Sequence, residues 1–439
     1  MYYDINKMQI QMGNERLYLR SPNINVCFKA RITGSIDRGD FINAIESVCK
    51  RHPMLKVNVK IDTENNAWYL QGNGSIGIEF YNYDDKMHWK KWYEETDNIP
   101  FDFQDGGLVK IGVICGSTYT DIVILGHHIL GDGIGYLNLM KDILSSLSGR
   151  LDESVQITFK ENSLKIKTKL GFLPKLYAKK LNKAWVNTRE KFSENDYLSF
   201  FKEYREKYPP GMFLASLTES NLSELISACK KSKITVNAAI ATAFVAAVQD
   251  TSNKYKERLM RLGVAASIRN ELITPMHDSM GNYITGISIK VKYDYSKSFT
   301  DNARLIGKLL RKKLENPKSR YLAINFLSKL DKDFVESAIY ASYGNDSNPA
   351  SKKLGEIIGE QANNKGIGIS NLGKQCIGEF EKFNLIDLLF IPPAFPANLI
   401  NIGVMSINGQ LNFCLRYAKS EISDTVIEQI CMKAISYLK

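Results

Sequence analysis

The sequence predicts an α/β (α+β) protein of two lobes. Helical and strand-like hydrophobic patterns alternate irregularly along the chain, which excludes an all-helical or all-strand architecture. The length of 439 residues exceeds what one average hydrophobic core accommodates. A hydrophobic content of 44%, with 10% aromatic residues, is enough to bury a core that offsets the entropy of ordering the chain.

The individual elements are predicted from the spacing of apolar residues, about 3.6 residues in a helix and two in a half-buried strand. The predicted helices are residues 40–51, 134–147, 222–230, 235–248, 301–314 and 426–438. The predicted strands are residues 108–115, 121–126, 264–268, 284–291 and 411–417. The first two strands flank a short turn, so we expect a hairpin whose second strand is apolar enough to lie in the middle of a sheet.

Capping residues support the first two helices. Asp40 is the predicted N-cap of the first helix, and Pro53 lies just beyond its end. Gly149 is expected to stop the second helix. The helix predicted at residues 235–248 is apolar nearly all round, so it should be buried on more than one face.

The boundary between the lobes is predicted inside residues 151–210, which are basic, loosely periodic and interrupted by three prolines. The resulting division is an N-terminal lobe at residues 1–170, a basic helical linker at residues 171–210 and a C-terminal lobe at residues 211–439.

The formal net charge is +11, and part of it is concentrated. Residues 160–191 contain ten basic and two acidic residues. Such a segment is a footprint for nucleic acid, anionic lipid, coenzyme A or an acidic carrier protein, or else a solvated helix face. No zinc-finger spacing, RNA-binding aromatic strand or basic leucine zipper is present, so no nucleic-acid partner is expected.

The apolar runs and the cysteine spacing indicate the cellular compartment in which the protein is expected. The longest apolar run, residues 238–248, is shorter than the roughly 18 to 20 residues of a membrane span, and the polar N-terminus lacks a secretory signal. The cysteines stand singly, without C-x-x-C or metal-ligand spacing. They are Cys27, Cys49, Cys115, Cys229, Cys376, Cys414 and Cys431. We therefore expect a cytoplasmic protein with reduced cysteines, no metal and no membrane span.

Two of the five histidines, His127 and His128, are adjacent in the stretch GHHILGDGIG, between a predicted strand and a predicted helix. One interpretation is that they are a structural pair at a strand end, with Asp132 capping the helix. The other is that they bind a metal ion or take part in catalysis. Adjacent residues diverge on either a strand or a helix, which disfavours a shared metal ion. Acid–base catalysis suits imidazole, because its pKa of about 6.5 lies close to neutral pH.

The motif H-H-x-x-x-D-G resembles the signature of the superfamily that contains chloramphenicol acetyltransferase, alcohol and wax-ester-type acyltransferases, plant BAHD acyltransferases and nonribosomal peptide condensation domains. Weaker similarities follow in the order of that superfamily: FINAIESVCKRHPMLKVNV, KITVNAAIATAFVAAV, VAASIRN, MGNYITGISI and GISNLG. The resemblance implies two chloramphenicol acetyltransferase-like lobes, each a mixed sheet flanked by helices, with an active-site tunnel between them. Within the motif it implies that His128 is the general base facing the tunnel and that His127 is structural.

The resemblance also implies roles for residues around the histidines. Asp132 would pair with an arginine and hold the loop, and Arg269 is the candidate partner. Gly133 would let the backbone approach the substrate channel closely. Ser370 or Asn371 of GISNLG would lie near the developing oxyanion.

Motifs that are missing from the chain disfavour some branches of the superfamily and some unrelated protein classes. The chain has no DFGWG, which disfavours the plant branch, and no Tyr-x-Asp-Tyr/Phe-Ala-x-Trp segment of the kind that condensation domains carry. Residues 368–375 match G-x-x-x-x-G-K, but Gln375 replaces the Ser or Thr that a nucleotide-binding loop needs for magnesium. The glycines of residues 131–135 lack the G-x-G-x-x-G spacing of a dinucleotide-binding loop, and the chain has no serine-hydrolase G-x-S-x-G.

The resulting prediction is an acyltransferase that moves an acyl group from a coenzyme A or carrier-protein thioester to a small-molecule alcohol or amine. The thioester is a co-substrate, so no metal or permanently bound cofactor is expected. An acidic carrier protein is the predicted protein partner. Two other hypotheses stand beside this one. They are a non-catalytic condensation-like module that binds a carrier protein, and an anion-surface binder that uses only residues 160–191.

Overall fold

The structure of the chain is a computed structural model that describes residues 9–71, 76–83, 85–104, 107–152, 154, 164–190, 192–252, 255–256, 258–342, 348–358, 365–395 and 398–439. Parts of the predicted basic segment, residues 160–163 and 191, lie outside the described residues. The helices and strands given below belong to the described ranges.

The strands are β1 Gln9–Gln11, β2 Val26–Thr33, β3 Val57–Ile61, β4 Ala67–Gln71, β5 Gly77–Asn82, β6 Val109–Cys115, β7 Tyr119–Gly126, β8 Pro210–Leu217, β9 Met260–Ser267, β10 Ile284–Val291, β11 Gly366–Lys374, β12 Leu385–Ile391, β13 Asn398–Ile407 and β14 Gln410–Ala418. The helices are α1 Arg38–Arg51, α2 His88–Asp97, α3 Gly133–Leu147, α4 Phe172–Val186, α5 Glu194–Lys207, α6 Glu219–Lys231, α7 Val236–Thr251, α8 Phe299–Leu314, α9 Pro317–Arg320, α10 Leu322–Leu327, α11 Lys332–Ser342, α12 Pro349–Ile358 and α13 Asp424–Leu438. Short 3-10 helices occur at Asn14–Tyr18, Pro53–Lys56 and Arg269–Glu271.

The chain divides into two compact units that are not continuous in sequence. Unit 1 comprises Met1–Lys165, Ile268–Tyr283 and Cys376–Ile391, and unit 2 comprises Ile166–Ser267, Ile284–Gln375 and Pro392–Lys439. The prediction assigned everything from residue 211 onward to the C-terminal lobe, whereas the structure places two later segments in unit 1. It also places most of the predicted linker in unit 2, where α4 and α5 lie.

The main sheet of unit 1 has five strands in the order β12-β2-β7-β6-β5. All neighbours are antiparallel except β5 and β6, which makes the sheet mixed. The predicted hairpin is β6 and β7, and β7 lies in the middle of the sheet with every residue buried. The later strand β12 joins this sheet because it completes the hydrogen bonding of β2.

The first helix of unit 1 begins slightly earlier than predicted. Its N-cap is Asp37, not Asp40, because the Asp37 carboxylate accepts hydrogen bonds from the backbone N–H groups of Gly39 and Asp40. At the other end, Arg51 Nε and His52 Nε2 lie 2.8 and 2.6 Å from Asp142 Oδ2. Asp142 belongs to α3, so the turn after α1 fastens the two helices to each other.

The sheet of unit 2 has six strands in the order β10-β9-β11-β13-β14-β8. The neighbours β9-β11 and β11-β13 are parallel and the others antiparallel, so this sheet is also mixed. The predicted all-round burial of the second helix of this region is confirmed in α7, whose residues from Ala238 to Gln249 are all buried. GISNLGK lies within strand β11, which lacks the loop-to-helix geometry of a nucleotide-binding loop.

Among the described residues, no single helix is long and apolar enough to cross a membrane. Helices α6 and α7 reach that length and composition only jointly, across a bend of 104°.

Candidate active site

The histidine pair lies on a tight turn between β7 and α3 in unit 1. Strand β7 ends at Gly126, where a Cβ atom would come within 2.1 Å of the Tyr136 ring, so a larger residue would displace that ring. The Tyr136 hydroxyl donates a 2.8 Å hydrogen bond to the carbonyl of His127. The glycine and the tyrosine together fix the backbone at the point where the histidines begin.

His127 points into the interior. Its ring meets Phe101 and Phe103 edge-on at 5.7 and 5.3 Å, and its Nδ1 accepts a 3.3 Å hydrogen bond from the N–H of Ile129. Burial, with a smaller contribution from neighbouring His128, lowers the pKa of His127 to about 3. At neutral pH this ring is therefore uncharged and packed among aromatic side chains.

This environment predicts how stability depends on pH. Unfolded His127 takes up a proton near its ordinary pKa of about 6.5, whereas in the folded chain the pKa is about 3. The unfolded state thus binds more protons below pH 6.5, and the stabilisation present above that value is lost as the pH falls toward 3. The slope is at most about 1.4 kcal/mol per pH unit.

The variant His127→Asn should flatten this dependence, because asparagine retains an acceptor near the Nδ1 position but does not titrate. Urea unfolding of wild type and variant at a series of pH values between 7 and 4 measures the difference in slope. Equal slopes in the two proteins would contradict the assignment.

His128 is buried, with 4% of its surface exposed, and stacks on the ring of Tyr18 at a centroid distance of 4.4 Å and an interplanar angle of 18°. Its Nδ1 lies 3.0 Å from the side-chain amide nitrogen of Asn282, which also donates at 3.3 Å to the His128 carbonyl. Burial lowers the pKa of His128, partly offset by a hydrogen bond to its own backbone and by the Asp132 charge. The ring is therefore held neutral and in a fixed plane.

Asp132 and Arg269 form a buried ion pair in unit 1. Arg269 Nη2 lies 2.7 Å from Asp132 Oδ1, and the two side chains are 4% and 0% exposed. Asp132 also caps α3 by accepting from the N–H of Gly135, and its other oxygen accepts from the N–H of Tyr283. Arg269, the predicted partner, thus contacts Asp132. The aspartate also links the start of α3 to the segment around Tyr283.

The guanidinium of Arg269 makes further hydrogen bonds to backbone carbonyls. It donates to Met276 and Ser279 at 2.7 Å each and to Gly281 at 3.0 Å. Gly135 lies close by, since a Cβ atom there would be 3.3 Å from Arg269 Nη2. The arginine therefore organises the whole segment Ile268–Tyr283 that joins unit 1.

The remaining predicted residues are placed as follows. Gly133 is the first residue of α3 and is half-buried. Ser370 and Asn371 lie on β11 in unit 2. The Asn371 amide donates to Asn237 at 3.2 Å, and its oxygen accepts from the N–H of Gly373 at 2.8 Å. Their role at an oxyanion stays a prediction.

Sequence reasoning missed two residues that contact His128, namely Tyr18 and Asn282. Tyr18 lies on the 3-10 helix Asn14–Tyr18, 110 residues before the histidine, and no local pattern links the two. Asn282 follows a glycine in the MGNYITGISI stretch, which resembles the superfamily but gives the asparagine no role. Burial raises the pKa of Tyr18 to about 12, so its hydroxyl stays protonated at neutral pH.

No cluster of three or more His, Cys, Asp or Glu side chains suited to a metal ion occurs in the described part of the chain. The conformation of the site depends instead on the ion pair and on backbone hydrogen bonds.

Comparison with known proteins identifies relatives of this chain. The sequence profile of the Condensation domain family matches residues 5–342. The polyketide synthase-nonribosomal peptide synthetase ACE1 of Pyricularia oryzae is 25% identical over 160 residues, which are 34% of this chain. The chain spans only a small part of that relative, since the matched region is 4% of its length.

Solved structures share the fold at low identity. The TRI3 trichothecene 15-O-acetyltransferase of Fusarium sporotrichioides is 12% identical with a TM-score of 0.68, covering 99% of this chain and 95% of that one. A variant of the starter condensation domain of rhizomide synthetase RzmA, in complex with C8-CoA and Leu-SNAC, is 10% identical with a TM-score of 0.64, covering 98% and 93%. The predicted fold class, lobes of mixed sheets flanked by helices as in chloramphenicol acetyltransferase, is confirmed.

Proposed function

This chain belongs to the Condensation domain family, and on that premise we propose that it transfers an acyl group from a thioester to a hydroxyl or amine acceptor. The thioester is carried by coenzyme A or by the phosphopantetheine of a carrier protein. The observation that carries the proposal is a neutral, immobilised imidazole, His128, on a turn that a buried Asp132–Arg269 pair holds in place.

The chemistry requires one base and no bound cofactor. The unprotonated nitrogen of His128 accepts the proton of the acceptor O–H or N–H while the acceptor oxygen or nitrogen attacks the thioester carbonyl carbon. The tetrahedral intermediate collapses, the carbon–sulfur bond breaks, and the imidazolium returns the proton to the leaving sulfur. The products are an ester or amide and a free thiol, so atoms and charge balance.

The base must present a lone pair on the nitrogen that faces the acceptor. A proton on Nδ1, donated to the backbone of His128 itself, leaves Nε2 as that base. The Asn282 side chain lies 3.0 Å from Nδ1 and donates to the His128 carbonyl at 3.3 Å, so it holds the ring and its backbone in one orientation. Asn282 is then a positioning residue that fixes the plane of the catalytic ring.

A pH profile tests the state of the base. We expect the acid limb of kcat/KM to have its midpoint below the ordinary histidine value of about 6.5, because burial lowers the pKa of His128. Asn282→Asp would place a carboxylate next to Nδ1 and should raise that midpoint by about one pH unit or more. Asn282→Ala introduces no charge and should not raise it. A midpoint in Asn282→Asp that does not exceed the wild-type value would contradict this geometry.

The direct test of function is thiol release, followed with a thiol-reactive dye. The donors are acyl-coenzyme A thioesters of different chain length, including the C8 thioester that is bound in the rhizomide synthetase domain. The acceptors are pooled alcohols and amines. Release that depends on the acceptor and is lost in His128→Ala is the expected result.

If coenzyme A thioesters give no release, the same assay with carrier-bound thioesters decides between catalysis and binding. Carrier binding without thioester consumption in this second assay would contradict the acyltransferase and favour a non-catalytic, carrier-binding module.

A further inference from the structure

Helix α4 of unit 2 presents large apolar side chains to solvent. Phe172, Leu173 and Leu176 in its first turns are 77%, 74% and 53% exposed. Ile166, in the segment that leads to the helix, is 55% exposed. Exposed apolar side chains usually occur singly on a protein surface, whereas contiguous ones mark an interaction site. We call these four residues the apolar tip of α4.

The opposite face of α4 is firmly packed, so the exposure of the tip does not result from a frayed helix. Ala178, Leu181 and Trp185 are buried, and the Trp185 ring stacks on Phe334 at 5.1 Å. The Asn182 amide donates a 2.8 Å hydrogen bond to the carbonyl of Lys329. The helix is thus anchored by one face, and the other is fixed toward solvent.

Lysines flank the apolar tip along the chain, and the same sequence segment has no acidic residue. Residues 164–187 contain no Asp or Glu. The exposed lysines of this segment within unit 2 are Lys167, Lys169, Lys175, Lys179, Lys180 and Lys183. Among the described residues, no carboxylate forms an ion pair with the four that belong to α4. Like charges four residues apart slightly destabilise a helix, so a bound anion would stabilise this arrangement of lysines.

The geometry of α4 places both features on one surface. Lys179 and Lys180 follow Leu176 by three and four residues, the spacing that puts side chains on the same helix face. The N-terminal end of α4, which carries the positive end of the helix dipole, has Gly171 as its N-cap and no capping side chain. This face of α4 therefore combines protruding apolar groups with lysines.

We propose that the exposed face of α4 binds the surface of a membrane that contains anionic phospholipid. The apolar tip would enter the boundary between headgroups and acyl chains, while the lysines contact lipid phosphates. Coenzyme A or nucleic acid would use the lysines but leave the exposed phenylalanine and leucines without a partner. The proposal concerns peripheral attachment and stands independently of the proposed acyl transfer.

Co-sedimentation with lipid vesicles tests the proposal with the full chain. We expect binding to vesicles of phosphatidylcholine with phosphatidylserine, weaker binding at high salt and little binding to phosphatidylcholine alone. Replacing Lys179, Lys180 and Lys183 together with Gln should weaken partitioning about 100-fold, since each lysine near an anionic surface contributes a factor of about five. Replacing Phe172 and Leu173 together with Ser should weaken it about tenfold or more.

Matched control variants separate this surface from general charge and hydrophobicity. Met432→Ser removes an apolar side chain that is 55% exposed elsewhere in unit 2. Replacing Lys308, Lys312 and Lys313 with Gln removes the same charge from α8. Both controls should retain wild-type binding, and circular dichroism should show that every variant is folded.

Three outcomes would overturn the proposal. They are no binding to anionic vesicles, equal losses in the control and α4 variants, and a retained affinity for anionic vesicles in the Phe172 and Leu173 double variant. Tight binding to single-stranded DNA or heparin that ignores the apolar tip, without vesicle binding, would assign the lysines to a polyanion. None of these measurements uses turnover, so failure here leaves the acyl-transfer assay unaffected.

Discussion

Replacing His128 with alanine should lower kcat for thiol release by about 10² to 10⁴, because loss of a general base typically has that effect. The corresponding increase in the activation free energy is about 3 to 5 kcal/mol. His128 is the buried ring stacked on Tyr18. Burial lowers its pKa, so the wild-type base is already unprotonated at neutral pH.

The measurement is the steady-state rate at saturating donor and acceptor, with thermal unfolding recorded for each protein. His127→Asn serves as the matched control, since His127 contacts Phe101, Phe103 and the backbone of Ile129 and should leave catalysis largely intact. Wild-type turnover in His128→Ala would refute the mechanism. A severe loss in His127→Asn with a normal unfolding transition would show that the two roles have been exchanged.

Breaking the Asp132–Arg269 pair should destabilise the folded state by about 3 to 5 kcal/mol, because one charge would remain buried without its partner. Both side chains are almost fully buried, and Asp132 also accepts from the N–H groups of Gly135 and Tyr283. Asp132→Asn preserves the shape of the cap but removes the charge. Arg269→Gln removes the positive partner and its hydrogen bonds to three carbonyls.

Denaturant unfolding of both single variants and of the double variant measures the coupling between the two side chains. The double variant should lose clearly less than the sum of the single losses, since it leaves neither charge unpaired. Glu94→Gln is the control: it breaks the surface pair of Lys90 and Glu94, at 3.9 Å, and should cost at most about 1 kcal/mol. Additive losses at Asp132 and Arg269 would show that the pair is not the unit that holds the turn.

Much of the candidate site follows from residues that are adjacent in sequence. A strand that ends in glycine, two histidines, and an aspartate that caps the next helix lie within ten residues, so local geometry predicts a turn whose two histidine rings point in different directions. The arginine partner required the family resemblance, since 137 residues separate it from Asp132. Tyr18 and Asn282 have no local signal, because each meets His128 only through tertiary packing.

The basic segment shows the same division. The positive charge of residues 160–191 can be counted in the sequence. The packing of Trp185 against Phe334, however, determines which face of α4 points outward. The exposure of Phe172 and Leu173 is a consequence of that packing. No periodicity in the segment predicts it, since lysines and apolar residues share the exposed side.

Local patterns were sufficient to predict the alternation of elements, the β6-β7 hairpin, the buried helix α7 and the motif turn, because hydrophobic period and capping act over a few residues. The pairing of β12 with β2 and the joining of Ile268–Tyr283 to unit 1 emerge from tertiary contacts alone. Such pairings depend on which strand edges still lack backbone hydrogen bonds, and which buried charges still lack a partner, after local structure has formed. The groups that complete them lie far away in the chain, so no short stretch of sequence predicts them.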